Sequence, residues 1–246
     1  MLLLGLDIET TGLDVKKDKV IEIGAILWDT VRSIPLRIFS ELVWYPEIWN
    51  ESTSGANPAL AMQHIEECIN ISNDDLVNYG RHPKVVFPLL LDLINSTNIT
   101  AVVAHNGNKF DKPLLYNDLT RWGFALPQIH WIDTQYDVPY PNKIKIRQLT
   151  YLAAEHGFIN PFAHRAIFDV LTMLKTIQSY DIDWIHKLSK IPTVTLVASI
   201  DYPSNHKVKT RGYHFRSEDK KWIKSIKENA VQEEIQASDF SISIEK

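Results

Sequence analysis

The order of apolar runs along the chain limits its fold more than any other feature. Leu2–Ile8, Lys19–Trp28 and Ile34–Tyr45 have strand length and strand composition, and no helical pattern separates them. Three strands in succession imply an antiparallel meander at one side of a sheet. After that the pattern alternates. Asn57-Pro58 offers an N-cap and a first-turn proline for a helix continuing to Glu67. Another helix is predicted over Pro83–Asn95, with Pro88 delaying its start by about one turn. Ile99–Ala104 reads as a buried strand, Asp111–Trp122 as a helix stopped by Gly123, and Ile129–Ile132 as a short strand. Ile146, Leu149, Leu152 and Ala153 share a helical face that ends at Gly157. Ile167, Val170, Leu171, Leu174 and Ile177 mark what reads as the longest amphipathic helix. Strands first, then strands alternating with helices, predict an α/β fold with a mixed β-sheet flanked by helices.

Past residue 190 the character changes. Thr193–Ile200 is strand-like. Nine Lys/Arg against three Asp/Glu lie between Lys190 and Lys227, interleaved with Tyr202, Tyr213, Phe215 and Trp222. Five acids and one base follow, ending in a period-2 run at Phe240, Ile242 and Ile244. The boundaries implied are a domain over 1–189 and a small α+β module over 190–246. Bases among aromatics suit backbone contact plus stacking on nucleic acid, and equally a solvated face on a packing module.

The net charge of −4 does not advertise a polyanion partner, but metal ions can supply positive charge at an acidic site. Cys68 is the single cysteine, so packing rather than disulfides must hold the fold, which fits a reducing compartment. The opening MLLLGLDIE is too short and too acidic for a signal segment, and no apolar stretch approaches membrane-spanning length. A cytoplasmic protein without membrane contact is expected, whether bacterial or made by a phage in its host. The sequon at Asn50 carries no weight without secretion.

Three segments carry acid at a strand end or helix start. In the first, Asp7 and Glu9 are two apart on a strand and so share a face, while Leu6 and Ile8 face the core. Paired carboxylates on an apolar strand repel and are costly to desolvate, and a divalent cation relieves both problems. Taken alone, the pair also reads as solvated acids where a strand reaches the surface. In the second segment, Asp111 follows a buried strand and opens a helix, the place where α/β sheets bind ligands; an acid stabilised by the helix dipole is the plain alternative. In the third, His164 and Asp169 are five residues apart. Five helical residues turn through about 500°, so His164 can meet the Asp169 site only from the preceding loop. A loop histidine suits a general base, or is a simple flanking residue.

The ordered motifs Asp7-Ile8-Glu9-Thr10-Thr11-Gly12, His105-Asn106-Gly107-Asn108-Lys109-Phe110-Asp111 and His164-Arg165-Ala166-Ile167-Phe168-Asp169 resemble those of the DEDDh (DnaQ-like) 3′→5′ exonuclease superfamily. That superfamily includes the proofreading subunit of bacterial DNA polymerase III, ribonuclease T and exodeoxyribonuclease X. The second motif is one residue longer than usual, as in the exonuclease I branch. The resemblance spans roughly residues 1–185. It implies an RNase H-like fold and two divalent cations, Mg²⁺ or Mn²⁺, about 3.5–4 Å apart. Asp7, Glu9 and Asp169 would hold one ion and Asp111, with Asp7, the other. His164 would deprotonate the attacking water. Thr10, Leu13 and Asn106 would contact substrate, with Leu13 wedged against the terminal base, while Phe110 reads as core.

The function expected is hydrolysis of nucleic-acid 3′ ends to 5′-mononucleotides, on single-stranded DNA first. The rival is an RNA-trimming exoribonuclease of the same fold. The reading from another class is an idle nuclease fold used for binding, and the presence of all four carboxylates and the histidine counts against it. Protein partners are not indicated.

Overall fold

The computed structural model describes residues 1–46, 69–141 and 143–245. The helix expected at Asn57–Glu67, the sequon at Asn50 and Cys68 lie outside the described residues, as does the side chain of Tyr202. The chain forms two compact units. One comprises Met1–Gln135 and Ile146–Ile182; the other comprises Tyr136–Lys145 and Asp183–Lys246.

The first unit is built on a five-stranded sheet: β1 (Leu2–Thr10), β2 (Val20–Asp29), β3 (Ile34–Leu42), β4 (Ala101–Ala104) and β5 (Trp131–Asp133), in the order β3-β2-β1-β4-β5. β1, β2 and β3 are antiparallel, and β4 and β5 run parallel to β1. The sheet is therefore mixed, with the apolar β1 at its centre. Helices α1 (Asn73–Tyr79), α2 (Pro83–Ser96), α3 (Asp111–Arg121), α4 (Leu149–Glu155) and α5 (Ala166–Ile177) belong to the same unit.

Side-chain alternation on β1 sorts the helices between the two faces. Leu4, Leu6 and Ile8 point into a cluster with Phe87, Leu90 and Leu93 of α2 and Leu114, Leu115 and Leu119 of α3. The opposite face is taken by α5, and two glycines set its distance. A β-carbon on Gly24 would lie 2.4 Å from the Ile167 amide nitrogen, and one on Gly5 would lie 2.8 Å from Val170 Cγ1. The backbone of α5 thus rests almost directly on β1 and β2. Gly5, Asp7 and Glu9 share that face, so the close approach brings the start of α5 to the acids.

Several sequence expectations are corrected. α2 begins at Pro83, not a turn later. The His82 ring accepts from the Lys84 amide as N-cap, Pro83 occupies the first turn, and Pro88 sits on the exposed side, where the bond it forfeits faces water. At 14 residues α2 is also longer than α5, which has 12. Leu171 of α5 is partly exposed, off the buried stripe of Val170, Leu174 and Ile177. Ile146 lies before α4 and is exposed, so only Leu152 and Ala153 of the predicted face are buried. β3 stops at Leu42 rather than Tyr45, because Val43 turns to bridge Arg81. α1 went unpredicted although Ser72 and Asp75 form a capping box.

The second unit contains α6 (Ile182–Ser189), which starts at its boundary, then β6 (Thr193–Ser199), α7 (Asn205–Thr210), β7 (His214–Arg216), β8 (Lys221–Lys227), α8 (Val231–Gln236) and β9 (Ser241–Ile244). Its antiparallel sheet has the order β7-β8-β6-β9 around Leu196, Ala198, Val208, Tyr213 and Val231. Tyr213 is buried and serves as core, not as a stacking surface. The tail acids fold onto the bases: Glu234 accepts from Arg211 and Lys224, Asp239 from Lys207, and Glu245 from Arg216. Lys227 pairs with the buried carboxylate of Asp137, tying Tyr136–Lys145 to β8.

Gly24→Ala is expected to destabilise the protein by about 3 kcal/mol, because the added methyl meets backbone that cannot rotate away. Urea unfolding followed by circular dichroism measures this.

Candidate active site

The acids of the first motif stand at the end of β1. Asp7 lies opposite Gly24 and Glu9 opposite Glu22, and the register breaks between Glu9 and Thr10. Beyond the break, the Thr10 hydroxyl donates to the Gly12 carbonyl at 2.6 Å, and Asp18 accepts from the Thr11 hydroxyl and the Asp14 amide. These bonds shape a tight turn whose tip, Leu13, is 85% exposed. Thr10 itself is buried, with its hydroxyl committed to the turn.

The second motif leaves β4 through Asn106, whose φ of 62° is left-handed, a conformation asparagine tolerates better than most residues. Its carbonyl accepts from the Lys109 and Phe110 amides. Asp133, buried at the end of β5, accepts from the amides of Asn106 and Asn108. This bracket aims Asp111, the first residue of α3, at the site. Phe110 packs against the core as expected. Asp133 was missed in the sequence; nothing local marks a strand-end acid as the anchor of a distant loop.

The third motif curls around its own acid. Asp169, in the first turn of α5, accepts from the Asn160 side chain at 2.7 Å and the His164 amide at 2.9 Å. His164 has a φ of 64°, lies on the loop before α5 and is exposed. Its ring can present a nitrogen within 4.8 Å of oxygens on Glu9 and Asp169. The structure therefore gathers Glu9, His164 and Asp169 into one cluster. Asp7 and Asp111 stand beside that group, and among the neighbouring charges Asp111 acts most strongly on Asp7.

A second feature was not read from the sequence. Buried Glu22 accepts from the Arg165 guanidinium at 3.0–3.3 Å and from the Ala166 amide at 3.0 Å. This pair locks the start of α5 to β2 and thereby sets where His164 leaves the loop. Its two halves are 143 residues apart, so no local pattern joins them.

Crowding makes ionisation of the acids costly. Burial, then the charges of Asp111, Glu9 and Asp169, push the Asp7 carboxyl far above the usual range. Burial followed by Asp169 and Glu22 raises Glu9 to about 8. Burial raises Asp169 to about 6, against the hydrogen bond from the His164 amide. Asp111 is raised chiefly by burial, with Asp133 adding to it. His105 moves the other way: burial depresses it to about 4, and its Nδ1 lies 2.8 Å from the Thr134 hydroxyl, so it is a neutral structural imidazole.

This donor set fits hard divalent cations, which prefer carboxylate oxygens and relieve their repulsion. Asp111 Oδ1 is buried and engages no hydrogen-bond donor, an acceptor left over by the fold itself. Asp7, Glu9, Asp111 and Asp169, with the His164 ring beside them, are the residues that could hold such ions.

Comparison with known proteins agrees with this geometry. Residues 4–177 match the RNase T family model, described as exonuclease. The Arabidopsis thaliana chloroplastic/mitochondrial exonuclease DPD1 is 26% identical over 191 residues, covering 72% of this chain and 55% of the relative, so the chain spans about half that protein's length. Escherichia coli exonuclease I in complex with a dA16 oligonucleotide superposes with a TM-score of 0.60 at 14% identity, over 84% of this chain and 49% of that one. The nuclease domain of 3′hExo, a DEDDh family member bound to rAMP, superposes with a TM-score of 0.54 at 16% identity, over 72% and 90%. The motifs, the mixed sheet and the matched family together place the chain: it belongs to the RNase T exonuclease family, with an RNase H-like fold.

Proposed function

We propose that the chain is a divalent-cation-dependent 3′→5′ exonuclease that shortens single-stranded DNA and releases 5′-mononucleotides. The observation that carries this reading is the convergence of four carboxylates, all resisting ionisation, with an exposed loop histidine at one strand end. When bound, a pair of Mg²⁺ or Mn²⁺ ions would neutralise these acids and polarise the scissile phosphodiester. Asp7, Glu9 and Asp169 would hold one ion, and Asp7 and Asp111 the other. The His164 ring nitrogen would take the proton of the attacking water, a role its exposed loop position allows. Leu13 at the tip of the first turn would lie against the terminal base. Thr10 and Asn106 would meet substrate through the backbone turns they shape, since the Thr10 hydroxyl and the Asn106 carbonyl are engaged internally.

The DNA reading is supported by likeness to the oligodeoxynucleotide-bound exonuclease I, and the RNA-trimming alternative by likeness to the rAMP-bound 3′hExo. The preserved acids and histidine argue against an idle binding fold. We assign residues 1–189 to the nuclease domain and 190–246 to a separate module, with Tyr136–Lys145 and residues 183–189 belonging to the same compact unit as that module. Because the tail acids take up much of that module's positive charge, any nucleic-acid contact there would rest more on the Phe215–Trp222 ring pair than on phosphates. No described helix is long and apolar enough to cross a membrane. We place the protein in the cytoplasm, in line with its single cysteine.

End-labelled single- and double-stranded DNA and RNA, incubated with Mg²⁺, Mn²⁺ or EDTA, test the assignment. Release of mononucleotides from 3′ ends is expected with metal and not with EDTA. Asp7→Ala should abolish release, and His164→Ala should slow it about 10²–10⁴-fold. Undiminished release by either variant refutes its assigned role.

A pH effect also follows. Free carboxylates titrate near about 4, and here Glu9 is raised to about 8 and Asp169 to about 6. Groups raised on folding stabilise the protein below their unfolded values, and that contribution is lost as pH climbs through 6 to 8. Metal-free protein should therefore lose thermal stability from pH 5 to pH 8.5, and Mn²⁺ should raise Tm more at the higher pH. Calorimetry at both values checks this; an equal metal effect at the two would count against cation binding by these acids.

A further inference from the structure

The outer face of α3 borders a hollow that the reading above leaves unused. A cavity of about 460 Å³ lies between that face and the segment 126–129. Small-ligand sites span about 300–1,000 Å³. Lys112 and Tyr116, four residues apart, share the helix face that lines it. Leu126 and Ile129, on the other wall, are anchored to the main core. The Lys112 ammonium stands 5.9 Å from the ring centroid of buried Trp131, and the Tyr116 ring is 53% exposed. Asn108 closes one end, and its amide donates to Asp133 at 3.2 Å. The hollow is therefore built on the same bracket that aims Asp111.

Its lining has a definite chemistry. Among the described residues no aspartate or glutamate borders it, although the chain carries 30 acids against 26 bases. Lys112 supplies a positive charge with no carboxylate beside it in the lining, which suits a phosphate. The Tyr116 ring offers a flat apolar face to a base, and the side-chain amides of Asn108 and Gln128 offer donors and acceptors to base edges and sugar. Cation, aromatic face and amides on apolar walls together match a nucleotide. The position matches a strand rather than an isolated molecule. Asp111 immediately precedes Lys112, and Tyr116 lies five residues on, about 7.5 Å along the helix axis. A strand whose end lies at the acids reaches the hollow along the first turns of α3.

We propose that this hollow is a subsite for an internal nucleotide of the substrate strand, with Lys112 on its phosphate and Tyr116 stacked on its base. The proposal rests on the nuclease reading and deepens it. A base that stacks on Tyr116 has left its partner strand, so the subsite favours unpaired substrate. It holds the strand away from the bond that is cut, so Lys112 and Tyr116 act on affinity and not on the chemical step.

The test moves a single abasic nucleotide through the positions preceding the 3′ terminus of a single-stranded oligonucleotide. Affinity is read by fluorescence anisotropy with Ca²⁺, and turnover with Mg²⁺. The wild-type protein is expected to bind about tenfold more weakly when the gap falls at one internal position, the scale of one lost base–aromatic stack. Tyr116→Ala should erase that dip and raise KM about tenfold, with kcat within about threefold, and Tyr116→Phe, which keeps the ring, should restore both. Lys112→Gln should lower the slope of log K against log salt by about 0.7, the value of one phosphate contact on a single strand. Both side chains lie on the outer face of α3, and circular dichroism confirms that the variants fold. A scan without an internal dip, or a dip and salt slope unchanged in the variants, overturns the subsite. Calorimetric binding of free dAMP that needs Lys112 and Tyr116, with a flat scan, would put a released mononucleotide there and also overturn it. The two readings fail separately: a protein that releases nothing yet shows the dip and the slope change would sink the nuclease assignment and leave the subsite standing.

Discussion

Like charge forced together is the constraint around which this structure is organised. Left to themselves, Asp7, Glu9, Asp111 and Asp169 would separate, and the burial that raises their proton affinities measures how strongly they are confined. Packing supplies the confining force. α5 lies on Gly5 and Gly24 with no room for a β-carbon, and the sheet behind the acids is filled by leucine, isoleucine and phenylalanine. The strain of gathering the acids is met by the stability of a core that has nothing to do with chemistry.

Two of the acids and the loop histidine are each held by polar groups around them. Asp133 brackets the loop that aims Asp111. Asn160 and the His164 amide hold Asp169. Glu22 and Arg165 pin the loop that carries His164 to β2. Placing a reactive group within about half an ångström of its working position requires this kind of support, because a side chain on an unsupported loop samples many rotamers.

The candidate site residues were readable in the chain because their signals are local. Asp7 and Glu9 share a face by the period of a strand, and His164 had to lie on a loop because five helical residues cannot face one way. The alternation of strands and helices likewise gave the sheet and its mixed direction. Other expectations failed where one residue's preference was overruled by its surroundings. Pro88 did not delay α2, since its missing bond faces water and His82 caps the helix earlier. Tyr213, read among basic neighbours as a stacking group, is core, because it packs with Leu196, Ala198, Val208 and Val231.

What the sequence alone determined is the set of acids, the loop histidine and the order of elements, all consequences of short-range periodicity and spacing. Tertiary structure alone decided which acids crowd which, and that Glu22 meets Arg165 across 143 residues. Those relations depend on how far α5 sinks onto the sheet, and that distance is fixed by the absence of two β-carbons on different strands. Such a dependence is non-local, and no window of residues contains it.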